Sequence, residues 1–242
     1  MSLLDERVFG ISDNLSDDER SFVSRVSSTP EFGFTIGSTK SVLQCISSIT
    51  IAGRKMKTEH SQQAADVLRG GLLSTIMSCL EKCKEEITYN NFQDSEIGSF
   101  DDHTDQSQIL ANHQKQAFIS ATYIYLYRVL FDLPPHSVRQ YVSEVLLRIS
   151  AFHSASHGNL SIWPAFIAAV EAYTPEDMAL ARGWLRRTTM FGIGSRLYVR
   201  ILVEEVWKRR DETATKLGID KGLIPIDWRV IMKELDMDIL LI

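Results

Sequence analysis

The sequence is poor in cysteine, in long apolar runs and in excess positive charge. Its three cysteines, Cys45, Cys79 and Cys83, are too few for the disulfide framework of a secreted protein, so we expect a reducing compartment. No apolar run approaches the roughly 18 residues of a membrane-spanning helix, and the N-terminus lacks the charge pattern of a signal peptide. The net charge of -5 argues against nucleic-acid binding by this chain, because phosphate binding needs clustered Lys and Arg.

The sequence is rich in helical periodicity. Val42, Cys45, Ile46 and Ile49, for example, recur on one face of a helix, whereas no alternating pattern is long enough for a confident strand. A chain of 242 residues can bury a large core without disulfides or a metal. We therefore predict an all-α fold with a single domain of about eight to ten helices, arranged as an irregular helical bundle or as stacked helical hairpins.

The most apolar segment is "KQAFISATYIYLYRVLFDL", in which Arg128 is the only charge between Lys115 and Asp132. A helix that is apolar nearly all round belongs inside its domain. Pro134-Pro135 should end this helix, because proline lacks an N–H donor and clashes with the preceding turn. We expect Ser137 to cap the helix that follows.

Residues 88–107 are dominated by Asn, Asp, Ser and Gly and show no helical period. We predict a solvated, acidic, flexible loop there, since its carboxylates lack the spacing of a calcium-binding loop. Residues 1–35 are predicted to be an N-terminal extension with one short helix, and residues 36–242 to be the helical domain.

Two later helices have clear start signals. Thr174, Pro175 and Asp177 fit the N-cap, first and third positions of a capping box. Asp227 should cap the last helix, and the apolar tail from Ile239 to Ile242 should dock on the core.

Gly192-Ile193-Gly194 raises the question of a phosphate-binding loop. Such loops follow a strand and continue with a further glycine or with Lys-Ser/Thr, but here a helix is predicted before the glycines and Ser195 follows them. The simpler interpretation is a helix-to-helix bend, with Gly192 ending one helix and Ser195 capping the next. The next helix should bury one face, on which Val199, Leu202, Val203, Val206 and Trp207 recur at helical spacing.

Few residues are candidates for metal binding or catalysis. The pairs Cys79/Cys83 and His153/His157 each supply two ligands, whereas a structural zinc site needs four. No nucleophile elbow or His-Glu-x-x-His motif is present. No catalytic, cofactor-binding or metal-ligating residue is therefore assigned to this chain, and the chain is not expected to be an enzyme.

The second half of the chain resembles the C-terminal regulatory region of fungal zinc-cluster transcription factors. The resemblance is carried by "LPPHSVRQYVSEVLLRIS" (133–150), "LSIWPAFIAAVEAYTPEDMALARGWLRR" (160–187), "FGIGSRLYVRILVEEVWKRRDE" (191–212) and the closing "DWRVIMKELDMDILLI". A weaker, compatible pattern extends it over about residues 36–242. Full-length members carry a six-cysteine zinc cluster that reads DNA, and the three cysteines here cannot form one. Zinc is therefore expected only in such a module of a full-length parent, and this chain is either an excised fragment or a relative without that module.

The resemblance implies a nuclear or nucleocytoplasmic regulatory domain that senses an effector, forms a homodimer or contacts transcription-machinery proteins, with no membrane or nucleic-acid contact of its own. A protein-interaction scaffold and, behind it, an enzyme on the same fold are the alternatives. For an effector pocket, we select Tyr123, Tyr125, Tyr127, Trp163 and Glu171, because ligand pockets are mostly apolar with a few placed polar groups. Alternatively, the tyrosine hydroxyls find partners at the core edge and Glu171 pairs with an arginine.

Overall fold

The computed structural model describes residues 38–58, 61–96, 102–155, 161–189, 194–237 and 239. Within these residues the chain forms eight α-helices, one 3₁₀ helix and no strand. The α-helices are α1 (Lys40–Thr58), α2 (Gln62–Glu96), α3 (Asp102–Phe131), α4 (Pro135–Ala155), α5 (Ile162–Glu171), α6 (Pro175–Thr189), α7 (Gly194–Leu217) and α8 (Trp228–Glu234). The predicted all-α helical bundle is confirmed. None of the described helices combines the length and the apolar character needed to cross a membrane.

Helix α3 lies at the centre and packs against α1, α2, α4 and α5. Every residue from 117 to 126 is buried, as expected for a helix that is apolar nearly all round. Two buried hydroxyls of this helix have partners inside the protein. Ser120 donates to Glu144 at 2.8 Å, and Thr122 donates to the carbonyl of Phe118 at 2.8 Å. The burial of α3 therefore leaves these hydroxyls paired, as buried polar groups need to be.

Helix α5 is short, and all ten of its residues are buried. Alanines at 165, 168 and 169 let neighbouring helices approach it closely, and Phe166 is fully enclosed. The indole of Trp207 on α7 donates to the carbonyl of Ala169 at 2.8 Å. Helix α5 thus forms a second buried element beside α3, and its last residue, Glu171, reaches the site described below.

The prediction of a loop at 88–107 is wrong for residues 88–96 and 102–107, which are helical. Helix α2 continues to Glu96 and α3 starts at Asp102, while residues 97–101 lie outside the described part. Asn, Asp and Ser have lower helix propensity than Ala or Leu, but the difference is below about 1 kcal/mol per residue and long flanking helices outweigh it. The short helix predicted within residues 1–35 also lies outside the described residues.

The junction between α3 and α4 differs in detail from the prediction. Helix α3 ends at Phe131, before the two prolines, and Asp132 adopts a left-handed φ of 47°. Helix α4 begins at Pro135, two residues before the predicted cap Ser137. Proline suits the first turn of a helix, because its missing N–H would have no partner there and its φ is already helical.

The structure places a helix, α6, before Gly192 and another, α7, from Gly194 onward. A strand is therefore absent from the position that a phosphate-binding loop would require. Gly192 lies outside the described residues, and Ser195 falls inside α7, one residue after its first residue. On α7, Val199, Leu202, Val203, Val206 and Trp207 are buried, as their spacing predicted.

Thr174 and Asp177 start α6 as predicted and form a buried pair. The backbone N–H of Asp177 donates to the Thr174 hydroxyl at 3.2 Å, and that hydroxyl donates to Asp177 Oδ2 at 2.8 Å. Asp177 Oδ1 accepts from Ser143 on α4 at 2.8 Å. The cap therefore also joins α6 to α4. Likewise, Asp227 caps α8 through the backbone N–H of Arg229 at 3.0 Å.

We expect Thr174→Ala to destabilise the protein by about 1–2 kcal/mol, because it removes a helix cap and one donor to the buried Asp177 carboxylate. The loss should appear as a fall in Tm of about 2–8 °C. Thr215→Ala is the matched control, since the exposed Thr215 hydroxyl bonds only to its own helix. Equal shifts for the two variants would contradict a special role for the Thr174–Asp177 pair.

Candidate functional site

A cavity of about 300 Å³ opens between α1, α3 and the start of α8. Helix α1 contributes Thr50, Gly53, Arg54 and Lys57, α3 and its end contribute Tyr125, Arg128, Val129 and Asp132, and Glu171 and Ile226–Arg229 complete the lining. Gly53 is needed where α1 meets α3, because a Cβ there would lie 2.5 Å from Val129 Cγ1. The close approach of the two helices therefore defines one wall of the cavity.

A buried ion network forms the floor of this cavity. Glu171, with 3% of its side chain exposed, accepts from Arg128 Nε at 2.8 Å and from Arg210 Nη2 at 3.3 Å. Arg210 on α7 also donates to the carbonyls of Val170, Ala172 and Ile224. One carboxylate therefore holds two arginines in the interior, and the pairing offsets part of the cost of burying their charge. For Arg210 burial still outweighs the Glu171 charge and lowers the pKa of its guanidinium.

Arg128 extends the network toward the solvent. Its Nη1 donates to Asp132 at 3.0 Å and to the carbonyl of Leu133, and its Nη2 donates to the carbonyl of Ile226. Burial is the largest single effect and lowers the pKa of Arg128, but the charges and hydrogen bonds of Glu171 and Asp132 together outweigh burial and raise that pKa. The Arg128 guanidinium thus links α3, α5, the α3–α4 junction and the segment before α8.

The opposite wall is aromatic. The guanidinium of Arg229 lies over the ring of Tyr125 at 5.2 Å and over the ring of Trp228 at 4.7 Å. The Tyr125 hydroxyl is hydrogen-bonded to Thr50 at 3.0 Å. Trp228 meets Phe166 edge to face at 4.9 Å, which anchors α8 on α5. The cavity therefore combines flat apolar surface with several charged groups, an arrangement suited to reversible binding of a small polar molecule.

The five residues selected for an effector pocket are divided by the structure. Tyr125 and Glu171 line the cavity, whereas Tyr123 and Tyr127 lie on the other face of α3 and both pack on Tyr141, at 4.9 and 6.1 Å. Two positions along a helix correspond to a rotation of about 200°. Tyr125 therefore points away from the face that Tyr123 and Tyr127 share. Burial and a hydrogen bond to Glu81 together raise the pKa of Tyr123.

Trp163 lies behind the cavity rather than on its surface. Its ring meets Tyr125 edge to face at 5.8 Å and stacks with Phe118 at 5.7 Å. Trp163 is therefore a packing partner that supports Tyr125. Glu171 pairs with arginines, as the alternative interpretation of this residue anticipated.

The cysteines lie together between α1 and α2 as free thiols. Burial and contact with Cys79 raise the pKa of Cys45 to about 12, and burial raises that of Cys83 to about 11. Burial also lowers the pKa of His153, while His157 lies outside the described residues. In the described part of the chain, no three Cys, His, Asp or Glu side chains are arranged to hold a metal ion.

Sequence reasoning missed the charged residues of the cavity, including Arg54, Lys57 and Arg229. Two features of the sequence pointed to the buried arginines of the network. Arg128 is the lone charge of an apolar helix, and such a charge needs an internal partner. Arg210 continues the buried positions 199, 203 and 206 of α7 at helical spacing and is itself 1% exposed.

One comparison with known proteins gives a result. A family model described as "Fungal specific transcription factor domain" matches residues 2–242. The match begins well before residue 36, where the sequence resemblance was expected to begin, and so includes the segment predicted to be an extension. No curated protein and no solved structure matches the chain.

Proposed function

Because this chain belongs to the fungal specific transcription factor domain family and so has a regulatory role in transcription, we propose that it responds to a small molecule bound in the cavity between α1, α3 and α8. The observation that carries this proposal is the position of the Arg128–Glu171–Arg210 network directly beneath the cavity. A ligand there would lie against Arg128 of α3 and Glu171 of α5, and Glu171 pairs in turn with Arg210 of α7.

The network explains how occupancy would be transmitted. Arg128 and Arg210 donate to the carbonyls of Ile226 and Ile224, in the segment that leads into α8. A ligand that shifts Arg128 would change how this segment and α8 sit on the core. Ligands alter a conformational equilibrium only by binding one state better than another. Contacts of the ligand with Arg128 and with the segment before α8 would supply that difference.

The matched family is one of transcription factor domains. We therefore infer that the chain acts in the nucleus, without catalysis and without holding nucleic acid itself. Zinc, on this proposal, belongs only to a DNA-binding module of a full-length parent.

A thermal-shift screen of fungal metabolites tests effector binding. A compound at 100 times its Kd stabilises the folded state by about 2.7 kcal/mol, which corresponds to a rise in Tm of about 5–10 °C. Val129→Phe should abolish the rise, because Val129 lines the cavity. Val67→Phe is the matched control, since Val67 is 72% exposed on α2 and lies outside the cavity.

Two results would refute the cavity as an effector site. One is a screen in which no metabolite raises the Tm of the unmodified chain. The other is a ligand whose stabilisation survives in Val129→Phe as fully as in Val67→Phe, since that ligand would bind elsewhere.

Homodimer formation is the second candidate function, and the surface of α7 favours it. Leu197, Tyr198 and Ile201 are 54%, 47% and 39% exposed and lie on one face of the helix. Clustered exposed apolar side chains often mark protein contacts. Sedimentation should then show a dimer that Ile201→Lys dissociates, whereas a monomer at all concentrations would contradict self-association and leave transcription-machinery proteins as candidate partners.

A further inference from the structure

The lining of the cavity carries more positive than negative charge. Four of its side chains are cationic, and three are carboxylates. The cations are Arg54, Lys57, Arg128 and Arg229, and the carboxylates are Glu171, Asp132 and Asp227. Arg210, directly behind Glu171, adds a fifth cation. This local excess contrasts with the net charge of -5 of the whole chain.

Each of the three carboxylates is already engaged by the protein. The two oxygens of Glu171 accept from Arg128 and Arg210, and Asp132 accepts from Arg128. Asp227 accepts the backbone N–H that it caps and lies 3.5 Å from the Arg229 guanidinium. Each carboxylate therefore already has at least one donor partner in the fold, which makes it a weaker site for a cationic ligand.

The cations at the cavity mouth are better placed to meet a ligand. Lys57 makes no ion pair with any residue that the structure describes, and its side chain is exposed at the end of α1. Arg229 is held across the faces of Tyr125 and Trp228 and lies 3.5 Å from Asp227, which together orient its guanidinium at the cavity. Arginine presents N–H groups in a planar fork that matches carboxylate and phosphate oxygens.

From this charge balance we infer that the effector bears an anionic oxygen group, a carboxylate or a phosphate, on a small flat apolar body. The anion lies toward Lys57 and Arg229, and the body lies against Tyr125 and Trp228. A volume of about 300 Å³ is at the lower end for ligand sites, so the molecule is small. This inference rests on the proposed effector function of the same cavity.

Binding of simple aromatic probes tests the inference. The probes are benzoate and phenyl phosphate as the two anion types, benzamide as the neutral analogue and benzylamine as the cationic one. The ¹⁵N–¹H signal of the Trp228 indole reports binding, and that of Trp184, which does not line the cavity, is the internal control. We expect benzoate, phenyl phosphate or both to shift the Trp228 signal and to bind about tenfold more tightly than benzamide.

Two lysines of α1 supply a matched pair of variants. Lys57 lines the cavity, whereas Lys55 is also exposed on α1 and does not line it. Lys57→Glu should weaken the binding of the anionic probe about tenfold or more, because it places a like charge beside the anion. Lys55→Glu makes the same change in net charge and should leave the affinity within about twofold.

The outcomes separate the two proposals. If benzamide or benzylamine binds as tightly as the anions and loses binding in Val129→Phe, the anion assignment is overturned while the cavity remains an effector site. Equal weakening by Lys55→Glu and Lys57→Glu also overturns it, since that would reflect only the general charge of the surface. If no anionic probe moves the Trp228 signal, the assignment fails, and the metabolite screen alone then decides the effector function.

Discussion

Glu171→Ala should destabilise the protein by about 3–5 kcal/mol, one of the largest losses expected for a single substitution in this chain. The change leaves Arg210, whose side chain is 1% exposed, and Arg128 without their shared carboxylate. A buried cation without a partner costs far more than an exposed one. Chemical denaturation should show this loss as a lower midpoint with a similar slope.

Three companion variants locate the cause. Glu171→Gln keeps one acceptor oxygen and the side-chain volume, so its cost should fall between zero and that of Glu171→Ala. Glu204→Ala removes an exposed carboxylate that pairs with Arg200 at 2.9 Å on the surface, and surface pairs contribute only about 0–1 kcal/mol. Arg210→Ala should destabilise about as strongly as Glu171→Ala. If Glu171→Ala lowered the free energy of unfolding no more than Glu204→Ala, Glu171 would not be stabilising the two buried arginines as described.

Phe166→Ala should cost about 3–5 kcal/mol, because Phe166 is fully buried at the centre of α5 and its truncation leaves a cavity in the core. It also removes the edge-to-face contact of its ring with Trp228 at 4.9 Å, and such pairs add about 0.5–1.5 kcal/mol. The fall in Tm should be about 6–20 °C.

This substitution should also affect the cavity, since Trp228 lines it and rests on Phe166. We expect the Trp228 indole signal to move in Phe166→Ala even without a ligand, whereas the Trp184 signal should move less. Leu147→Ala is the control, because Leu147 is 58% exposed and its truncation leaves no cavity. Comparable losses for the two truncations would mean that α5 is not the packing centre that its burial indicates.

Several features of the fold follow from short stretches of sequence. The stripe of Val199, Leu202, Val203 and Val206 predicted which face of α7 is buried, because a helix repeats every 3.6 residues. Thr174 and Asp177 predicted the start of α6, because a capping hydroxyl acts within one turn. The prediction at 88–107 was wrong because the low helix propensity of Asn, Asp and Ser is a weak effect. Extension of the long helices on either side outweighs it.

The sequence by itself determined the all-helical class, the buried faces of the helices, the cap at Thr174 and the resemblance to a family of transcription regulators. All of these depend on residues within a few positions of one another, or on motifs in fixed order. Only the tertiary structure decided where Glu171 finds its arginines and which tyrosine meets the cavity. Positions 50–57, 125–132, 171 and 226–229 are far apart along the chain. They become neighbours only when α1, α3, α5 and α8 pack, because helical periodicity sets the inward face of each helix and not the helix that it will meet.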